Sequence, residues 1–186
     1  MKTIFCFGDS NTWGYDPRSI LEDRYEADAR WCDLLGKALS CRVLNRGANG
    51  RCIPSSAWEY GALDRELESC GPVDAGILLL GTNDLLMGRS PERVSSAMEA
   101  LVSHLKAFGF PLVLLSPPDL RLPEPELRRA LEAAAGFYQA LAQREGLLYL
   151  DIRSLPLSCD GVHLSEEGHR LLARHLASLL RLQNLL

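Results

Sequence analysis

The chain has 186 residues, of which 47% are hydrophobic and 24% charged, and its formal net charge is −4. This length fits one domain, and a composition of this kind is typical of a globular protein and argues against disorder. Because the basic residues are dispersed, the sequence has no charged footprint for nucleic acid or for an anionic membrane surface. We therefore expect a single domain over residues 1–186, with no nucleic-acid or membrane partner.

Short apolar runs alternate along the chain with segments of helical periodicity. The apolar runs predict strands at residues 3–7, 43–44, 75–80, 112–115 and 147–152. The periodic segments predict helices at residues 30–40, 56–70, 91–108, 125–145 and in a last stretch that starts after Ser165. Ser90 and Ser165 suit N-cap positions, and Pro91 suits the first position of a helix. Residues 14–29 are polar and show no clear element.

Alternating strands and helices, with central strands that are apolar throughout, predict a parallel sheet covered by helices on both faces. We therefore expect a three-layer α/β/α sandwich around a five-stranded parallel sheet. In sheets of this kind, functional sites lie beyond the carboxyl ends of the strands. The residues that directly follow each apolar run are thus the first candidates for chemistry.

Two further features narrow the class of protein. The apolar run at residues 4–7 is too short for a signal peptide and no small-residue cleavage site follows it, so we expect a cytoplasmic location. The six cysteines are scattered without a Cys-x-x-Cys pair, which argues against a disulfide framework. No histidine and cysteine fall at zinc-ligand spacing, and we expect neither a metal nor an organic cofactor.

Polar residues of cooperating types follow four of the predicted strands. These segments are Gly8-Asp9-Ser10-Asn11, Gly47-Ala48-Asn49-Gly50, Gly81-Thr82-Asn83-Asp84 and Asp160-Gly161-Val162-His163. A serine nucleophile needs a base within hydrogen-bond reach, and His163 is the one histidine in a loop after a strand. Asp160, three residues earlier, can share a face with His163 and fix its tautomer. We therefore predict Ser10, His163 and Asp160 as catalytic residues.

Attack on a carbonyl creates an oxyanion, which requires hydrogen-bond donors that are already in place. The Ser10 N–H, the Gly50 N–H and the Asn83 side-chain amide are the predicted donors. Gly47 is a second candidate for the backbone donor from this loop, and the sequence does not decide between the two glycines. Each motif also has a structural interpretation: Ser10 as a helix cap, Asn83 as a turn residue, and Asp160 with Gly161 as a turn dipeptide.

The four segments together resemble the sequence blocks of the SGNH hydrolases, the GDSL-type esterase and lipase family, over residues 4–165. The resemblance implies a flavodoxin-like fold, a Ser-His-Asp triad and hydrolysis of an ester. The stretch from Gly8 to Tyr15 is similar to the arylesterase and acyltransferase branch, which implies that Trp13 lines the acyl pocket. Asn11 stands where leucine is most usual in the family. We accordingly predict Asn11, Trp13 and Val162 as substrate-binding residues.

The substrate expected from these features is a small ester with a short, acetyl-type acyl group, because the chain has no insertion the size of a lipase lid. A carbohydrate O-acetylesterase and an acyltransferase would use the same residues. A non-catalytic protein that binds an anion at the glycine-rich strand ends is the alternative of another class. A homo-oligomer is compatible with the apolar C-terminal residues Leu185 and Leu186.

Overall fold

A computed structural model describes residues 1–20 and 23–185 of the chain. Its centre is a sheet of five parallel strands in the order β2-β1-β3-β4-β5. The strands are β1 (Thr3–Gly8), β2 (Arg42–Gly47), β3 (Ala75–Leu79), β4 (Leu112–Leu115) and β5 (Leu148–Leu150). The predicted five-stranded parallel sheet is therefore confirmed. Its fifth strand is shorter than expected, because the Ile152 N–H donates to the Ser116 hydroxyl instead of continuing the ladder.

Helices cover both faces of the sheet, as the alternating pattern predicts. Five of them are long: α2 (Trp31–Leu39), α3 (Ala57–Cys70), α5 (Pro91–Lys106), α6 (Pro125–Glu145) and α7 (Glu166–Leu182). Two single-turn helices, α1 (Ser10–Trp13) and α4 (Thr82–Leu86), follow β1 and β3 directly and were not predicted. Among the described residues, no helix is long and apolar enough to cross a bilayer.

Side-chain caps set the starts of the long helices. The Ser90 hydroxyl accepts from the Arg93 N–H at the start of α5, and the Ser165 hydroxyl accepts from the Gly168 N–H at the start of α7. Both caps agree with the prediction. At α3, Ser56 and Glu59 form a capping box that the sequence analysis did not identify.

Two hydrophobic clusters lie on opposite faces of the sheet. One joins the strands to α3, α5 and α6, and it contains Ile53 and Leu63. The other joins the strands to α2 and α7, and it contains Trp31 and Leu164. We call these the α3 face and the α7 face. Trp31 is fully buried, which places it in the core and away from a substrate surface.

The strand order positions the predicted site. Because β1 lies between β2 and β3, the loops after these three strands meet at one edge of the sheet. The strand order changes direction here, because the chain goes from β1 to β2 on one side and then to β3 on the other side of β1. Open α/β sheets bind ligands at such a point. Ser10 follows β1, Gly50 follows β2 and Asn83 follows β3, so the fold brings three of the predicted residues to the same edge.

Candidate active site

Ser10 occupies the first position of α1, two residues after the end of β1, which is an interior strand of the sheet. The N-cap of this helix is Asp9, whose carboxylate accepts from the Asn11 N–H at 2.9 Å. The Asp9 carbonyl accepts from the Thr12 and Trp13 N–H groups. Within the described residues, nothing accepts from the Ser10 N–H, which leaves it available to a ligand at a helix N-terminus.

Side chains from three other elements hold α1 in place. The Trp31 indole donates to the Asn11 carbonyl at 3.0 Å, and the Asn45 side-chain amide donates to the Thr12 carbonyl at 2.8 Å. The backbone of β2 also approaches α1 closely, because a Cβ added at Gly47 would lie 2.0 Å from the Trp13 backbone nitrogen. The backbone around Ser10 is therefore fixed by packing, with little room to shift.

A hydrogen-bonded chain links the three residues predicted as catalytic. The His163 Nε2 lies 2.9 Å from the Ser10 Oγ, and the His163 Nδ1 lies 2.5 Å from the Asp160 Oδ2. The other carboxylate oxygen, Asp160 Oδ1, accepts from the backbone N–H groups of Val162 and His163, both at 3.1 Å. Burial alone would raise the pKa of Asp160, but hydrogen bonds from His163 and the turn backbone outweigh it, and the pKa lies below its usual value.

Asn11 differs from its prediction as a substrate-binding residue. Its side chain is buried, with 1% of the residue exposed, and its Oδ1 accepts from the Leu164 N–H at 2.7 Å. The amide is thus used inside the protein, and it anchors the loop that carries His163 to the helix that carries Ser10. This contact could not be read from the sequence, because Leu164 lies 153 residues away along the chain, and a substrate contact of Asn11 stays a prediction.

The two glycines after β2 have different surroundings. The Gly47 N–H donates to the Asn45 Oδ1 at 2.9 Å and is therefore engaged. Gly50 is exposed, has a positive φ of 71°, and has no atom within 4 Å of the position of an added Cβ. No described residue accepts from its N–H. The geometry favours Gly50 over Gly47 as a free backbone donor.

Asn83 lies in α4, and one of its two amide hydrogens is already used. Its Nδ2 donates to the Arg51 carbonyl at 2.9 Å, which joins the loops after β2 and β3. The Arg51 guanidinium in turn donates to the carbonyls of Gly8 and Arg46 and lies 4.4 Å from the centre of the Phe7 ring. The second N–H of the Asn83 amide remains for a ligand.

Asp84, in α4, also holds the loop that follows β2. Its side chain is fully buried; Oδ2 accepts from the Ile53 N–H at 3.0 Å and Oδ1 pairs with Arg89 at 2.5 Å. Burial raises the pKa of Asp84, and these two donors partly counter the effect. Burial also raises the pKa of the neighbouring Asp9 to about 7, and its Oδ2 has no hydrogen-bond partner among the described residues. Both carboxylates accept a hydrogen bond from a backbone N–H group, and among the described residues neither is hydrogen-bonded to the Ser10 hydroxyl.

Aromatic side chains flank His163 on the side of residues 14–29. The Tyr15 ring lies 4.6 Å from the His163 ring, and the Trp13 ring lies 6.5 Å from Tyr15. The Arg24 guanidinium lies 5.0 Å from the centre of the Trp13 ring, and Tyr15 forms a β-bridge with Arg24. Trp13 is partly exposed, as a ligand-contacting side chain must be, and so is Val162.

No metal ligands complement this arrangement. Within residues 1–20 and 23–185, no three His, Cys, Asp or Glu side chains cluster so that they could hold a metal ion. The groups at this edge of the sheet are the His163 imidazole on the Ser10 hydroxyl, the Asp160 carboxylate on His163, and backbone and side-chain N–H donors from the neighbouring loops. This set suits nucleophilic attack on a carbonyl with proton transfer through a histidine.

The sequence as a whole matches the model of the GDSL-like lipase/acylhydrolase family over residues 6–171. The chain belongs to this family. A search of curated proteins found no significant match. The family's activity and its structural relatives together make the chain a carboxylic ester hydrolase.

Several solved structures resemble this GDSL-like hydrolase along its whole length. The aryl esterase of Mycobacterium smegmatis is 27% identical, with 100% of both chains covered and a TM-score of 0.86. A candidate arylesterase of Agrobacterium tumefaciens strain C58 is 30% identical, with 97% of this chain and 99% of that one covered and a TM-score of 0.83. A carbohydrate acetylesterase family member from Sinorhizobium meliloti is 26% identical, with 98% of both chains covered and a TM-score of 0.84.

Two residues at the site of this hydrolase were not identified from the sequence. Tyr15 lies in a segment without a recognisable element, and its contact with His163 arises only in the fold. Arg51 directly follows Gly50. The sequence of a glycine-rich turn does not indicate that an arginine side chain in it donates to the backbone carbonyls of Gly8 and Arg46.

Proposed function

We propose that this hydrolase is a serine esterase for small esters with short acyl groups, and that Ser10 is its nucleophile. The observation that carries the proposal is the chain of hydrogen bonds from Asp160 through His163 to Ser10. A binding protein would have no need for this set. The alternative of a non-catalytic anion-binding protein does not agree with membership in a hydrolase family.

In the proposed mechanism, His163 accepts the Ser10 hydroxyl proton at Nε2 as the Ser10 Oγ attacks the ester carbonyl. Asp160 holds the Nδ1 proton and stabilises the imidazolium that forms. His163 then protonates the leaving alcohol, which departs and leaves an acyl group on Ser10. Water, deprotonated by His163, attacks this acyl-enzyme, and the acid leaves as the Ser10 hydroxyl is restored.

The tetrahedral oxyanion is assigned to three donors in this proposal: the Ser10 N–H, the Gly50 N–H and the second N–H of Asn83. Support comes from their being free of other partners among the described residues while the surrounding backbone is fixed. Donors that are already oriented need no reorganisation during the reaction, and removing one such donor costs a factor of about 10²–10³ in kcat.

Tyr15 and Arg24 stand on the side of the site where His163 lies, and we assign the leaving alcohol to this side. His163 must reach the leaving oxygen in order to protonate it, so the alcohol lies within reach of its Nε2. The Tyr15 ring and the Arg24 guanidinium offer both apolar surface and charge there, and the Trp13 ring, which the sequence assigns to the acyl pocket, lies beside both of them. Such a surface suits an aryl alcohol, in line with the aryl esterase of Mycobacterium smegmatis.

A second candidate is the removal of O-acetyl groups from a carbohydrate. The likeness to a carbohydrate acetylesterase family member of Sinorhizobium meliloti favours it. The same nucleophile and base would serve, and only the alcohol side of the site would differ. An acyl acceptor other than water would likewise use the same residues.

The test is hydrolysis of p-nitrophenyl acetate, butyrate and octanoate by the wild type and by Ser10→Ala, with circular dichroism as a check on folding. We expect turnover of the acetate and butyrate by the wild type, a much slower reaction with the octanoate, and loss of turnover in the variant. Release of acetate from acetylated xylan or acetylated glucose, measured with the same two proteins, separates the carbohydrate candidate. Equal rates in the two folded proteins would refute the role of Ser10.

A further inference from the structure

Asp9 carries a buried carboxyl group that the proposed mechanism does not use. Only 1% of the residue is exposed, although Asp9 directly precedes Ser10. Its Oδ1 accepts from the Asn11 N–H at 2.9 Å, and its Oδ2 has no hydrogen-bond partner among the described residues. A carboxylate that is removed from water and lacks donors for one of its oxygens is unstable in its ionised form. The geometry therefore favours the protonated form of Asp9.

The charged and titratable groups around Asp9 come from three other elements. They are Arg51 and Cys52 in the loop after β2, Asp84 in α4 and Tyr138 in α6. Arg51 is the cation of this set, but its guanidinium already donates to the carbonyls of Gly8 and Arg46. Burial raises the pKa of Asp9 to about 7, and the hydrogen bond from Asn11 and the charge of Arg51 only partly counter this effect.

Asp84 is a second buried carboxyl group, and its surroundings differ from those of Asp9. The Asp84 side chain is fully buried, but each of its oxygens has a donor, the Ile53 N–H at 3.0 Å and the Arg89 guanidinium at 2.5 Å. The negative charge of Asp84 is therefore compensated locally, whereas that of an ionised Asp9 is not. Of the two groups, Asp9 is the one that we expect to exchange a proton near neutral pH.

The position of Asp9 connects its charge to the proposed reaction. Its carboxyl group lies on the Asn11 N–H, and the adjacent Ser10 N–H is one of the proposed oxyanion donors. Ionised Asp9 would thus place a negative charge next to the point where the oxyanion forms. Charges repel each other strongly in the protein interior, where the effective dielectric constant is low. Protonated Asp9 keeps the same hydrogen bond without this charge.

We propose that Asp9 is a titratable positioning residue, whose protonated form holds α1 for catalysis and whose ionisation sets the alkaline limit of the esterase activity. The inference rests on the proposed function, because it takes the Ser10 N–H as an oxyanion donor. On the acid side, activity rises with pH as His163 becomes free to accept a proton. On the alkaline side, Asp9 loses its proton to solvent, and its negative charge slows the attack by Ser10.

The test is the dependence of kcat/KM on pH for p-nitrophenyl butyrate, from about pH 5 to about pH 9, with the uncatalysed rate subtracted at each pH. Asp9→Asn and Asp9→Ser remove the titration and keep a side-chain oxygen at the N-cap of α1. Asp119→Asn is the matched control, because Asp119 is an exposed aspartate in the loop after β4. Thermal melting at each pH checks that every protein stays folded.

We expect the kcat/KM of the wild type and of Asp119→Asn to fall about tenfold or more between its maximum and about pH 9, the effect of one poorly screened charge. Both Asp9 variants keep their maximal value up to this pH and retain the rise on the acid side. Folded Asp9 variants with the alkaline fall of the wild type would overturn the role of Asp9 and leave Ser10 as nucleophile. A wild type without an alkaline fall would do the same. A wild type that hydrolyses the ester at no pH would overturn the proposed function as well.

Carbon-13 NMR of the wild type, labelled at the aspartate carboxyl carbons, keeps the test decisive if neither Asp9 variant folds. We expect one aspartate to titrate near pH 7, with the same midpoint as the alkaline fall in activity. Titration of every aspartate below about pH 5 would overturn the proposal.

Discussion

Replacing Asp160 by asparagine separates the two tasks of this carboxylate. In Asp160→Asn, the side-chain oxygen still accepts from the Val162 and His163 N–H groups, so the turn is preserved. The amide nitrogen then faces the His163 Nδ1. An amide nitrogen is a hydrogen-bond donor, so it cannot accept the proton that Nδ1 must carry while Nε2 acts as the base. His163 is expected to change tautomer, with the proton on Nε2, and can no longer accept one from Ser10.

The expected loss in kcat is about 10³–10⁴, because asparagine in this position of a Ser-His-Asp site imposes the wrong tautomer. Stability should change little. Asp160→Ala is the matched comparison: it removes the acceptor of both turn N–H groups, at about 0.5–1.5 kcal/mol each. For a chain of this length, the resulting 1–3 kcal/mol corresponds to a fall in Tm of about 2–12 °C.

The assay is steady-state hydrolysis of p-nitrophenyl acetate, with Tm from circular dichroism for all three proteins. The account expects Asp160→Asn to be folded with a wild-type Tm and nearly inactive, and Asp160→Ala to be inactive with a lower Tm. A kcat for Asp160→Asn within threefold of the wild type would refute the assigned role of Asp160.

Three further predictions concern the oxyanion donors and the core. Asn83→Ala should lower kcat about 10²–10³-fold with the fold retained, whereas an unchanged kcat would remove Asn83 from the oxyanion hole. Gly47→Ala should fail to fold or lose several degrees in Tm, because its Cβ would lie 2.0 Å from the Trp13 nitrogen; a wild-type Tm would contradict the packing. Burial lowers the pKa of His169 to about 3, so the folded protein stays unprotonated there while the unfolded chain takes up a proton below about pH 6.5. Its contribution to stability is full above pH 6.5 and is lost as the pH falls toward 3. His169→Gln should reduce the difference between the free energies of unfolding at pH 7 and pH 4.5, each measured by urea titration. The same difference in the wild type and the variant would contradict this role of His169.

Regular elements were predictable where the sequence carried its own boundaries. The helix predicted from its periodicity at residues 125–145 has the observed ends; in the structure Pro125 is its first residue and Gly146, at a positive φ of 68°, ends it. By contrast, α1 and α4 have only four and five residues, too few for a helical period to show in the sequence. These two short helices carry Ser10 and Asn83.

The site itself was predictable only in part. Ser10, Asn83 and His163 follow strands, and the rule for parallel sheets is enough to bring such residues to one edge. The Asp160 pairing was readable because it is local, at three residues from His163. Contacts between distant residues were not readable: Asn11 meets Leu164, and Tyr15 meets His163, only after the chain has folded.

Residues outside the described ranges leave one prediction open. The suggestion that Leu185 and Leu186 pack on a second copy falls partly there, because Leu186 lies outside the described residues. Leu185 packs against the hydrophobic cluster of the α7 face of its own chain. A homo-oligomer stays a prediction, which sedimentation of the full chain would test.

The central claim is that Ser10 is the nucleophile, and covalent labelling tests it most directly. The wild type is incubated with a p-nitrophenyl alkylphosphonate, digested, and analysed by tandem mass spectrometry. The account predicts one phosphonyl adduct per chain, on Ser10, with release of p-nitrophenol in equal amount and no adduct in folded Ser10→Ala. An adduct on another residue, or an unlabelled Ser10 in a protein that still hydrolyses esters, would contradict it.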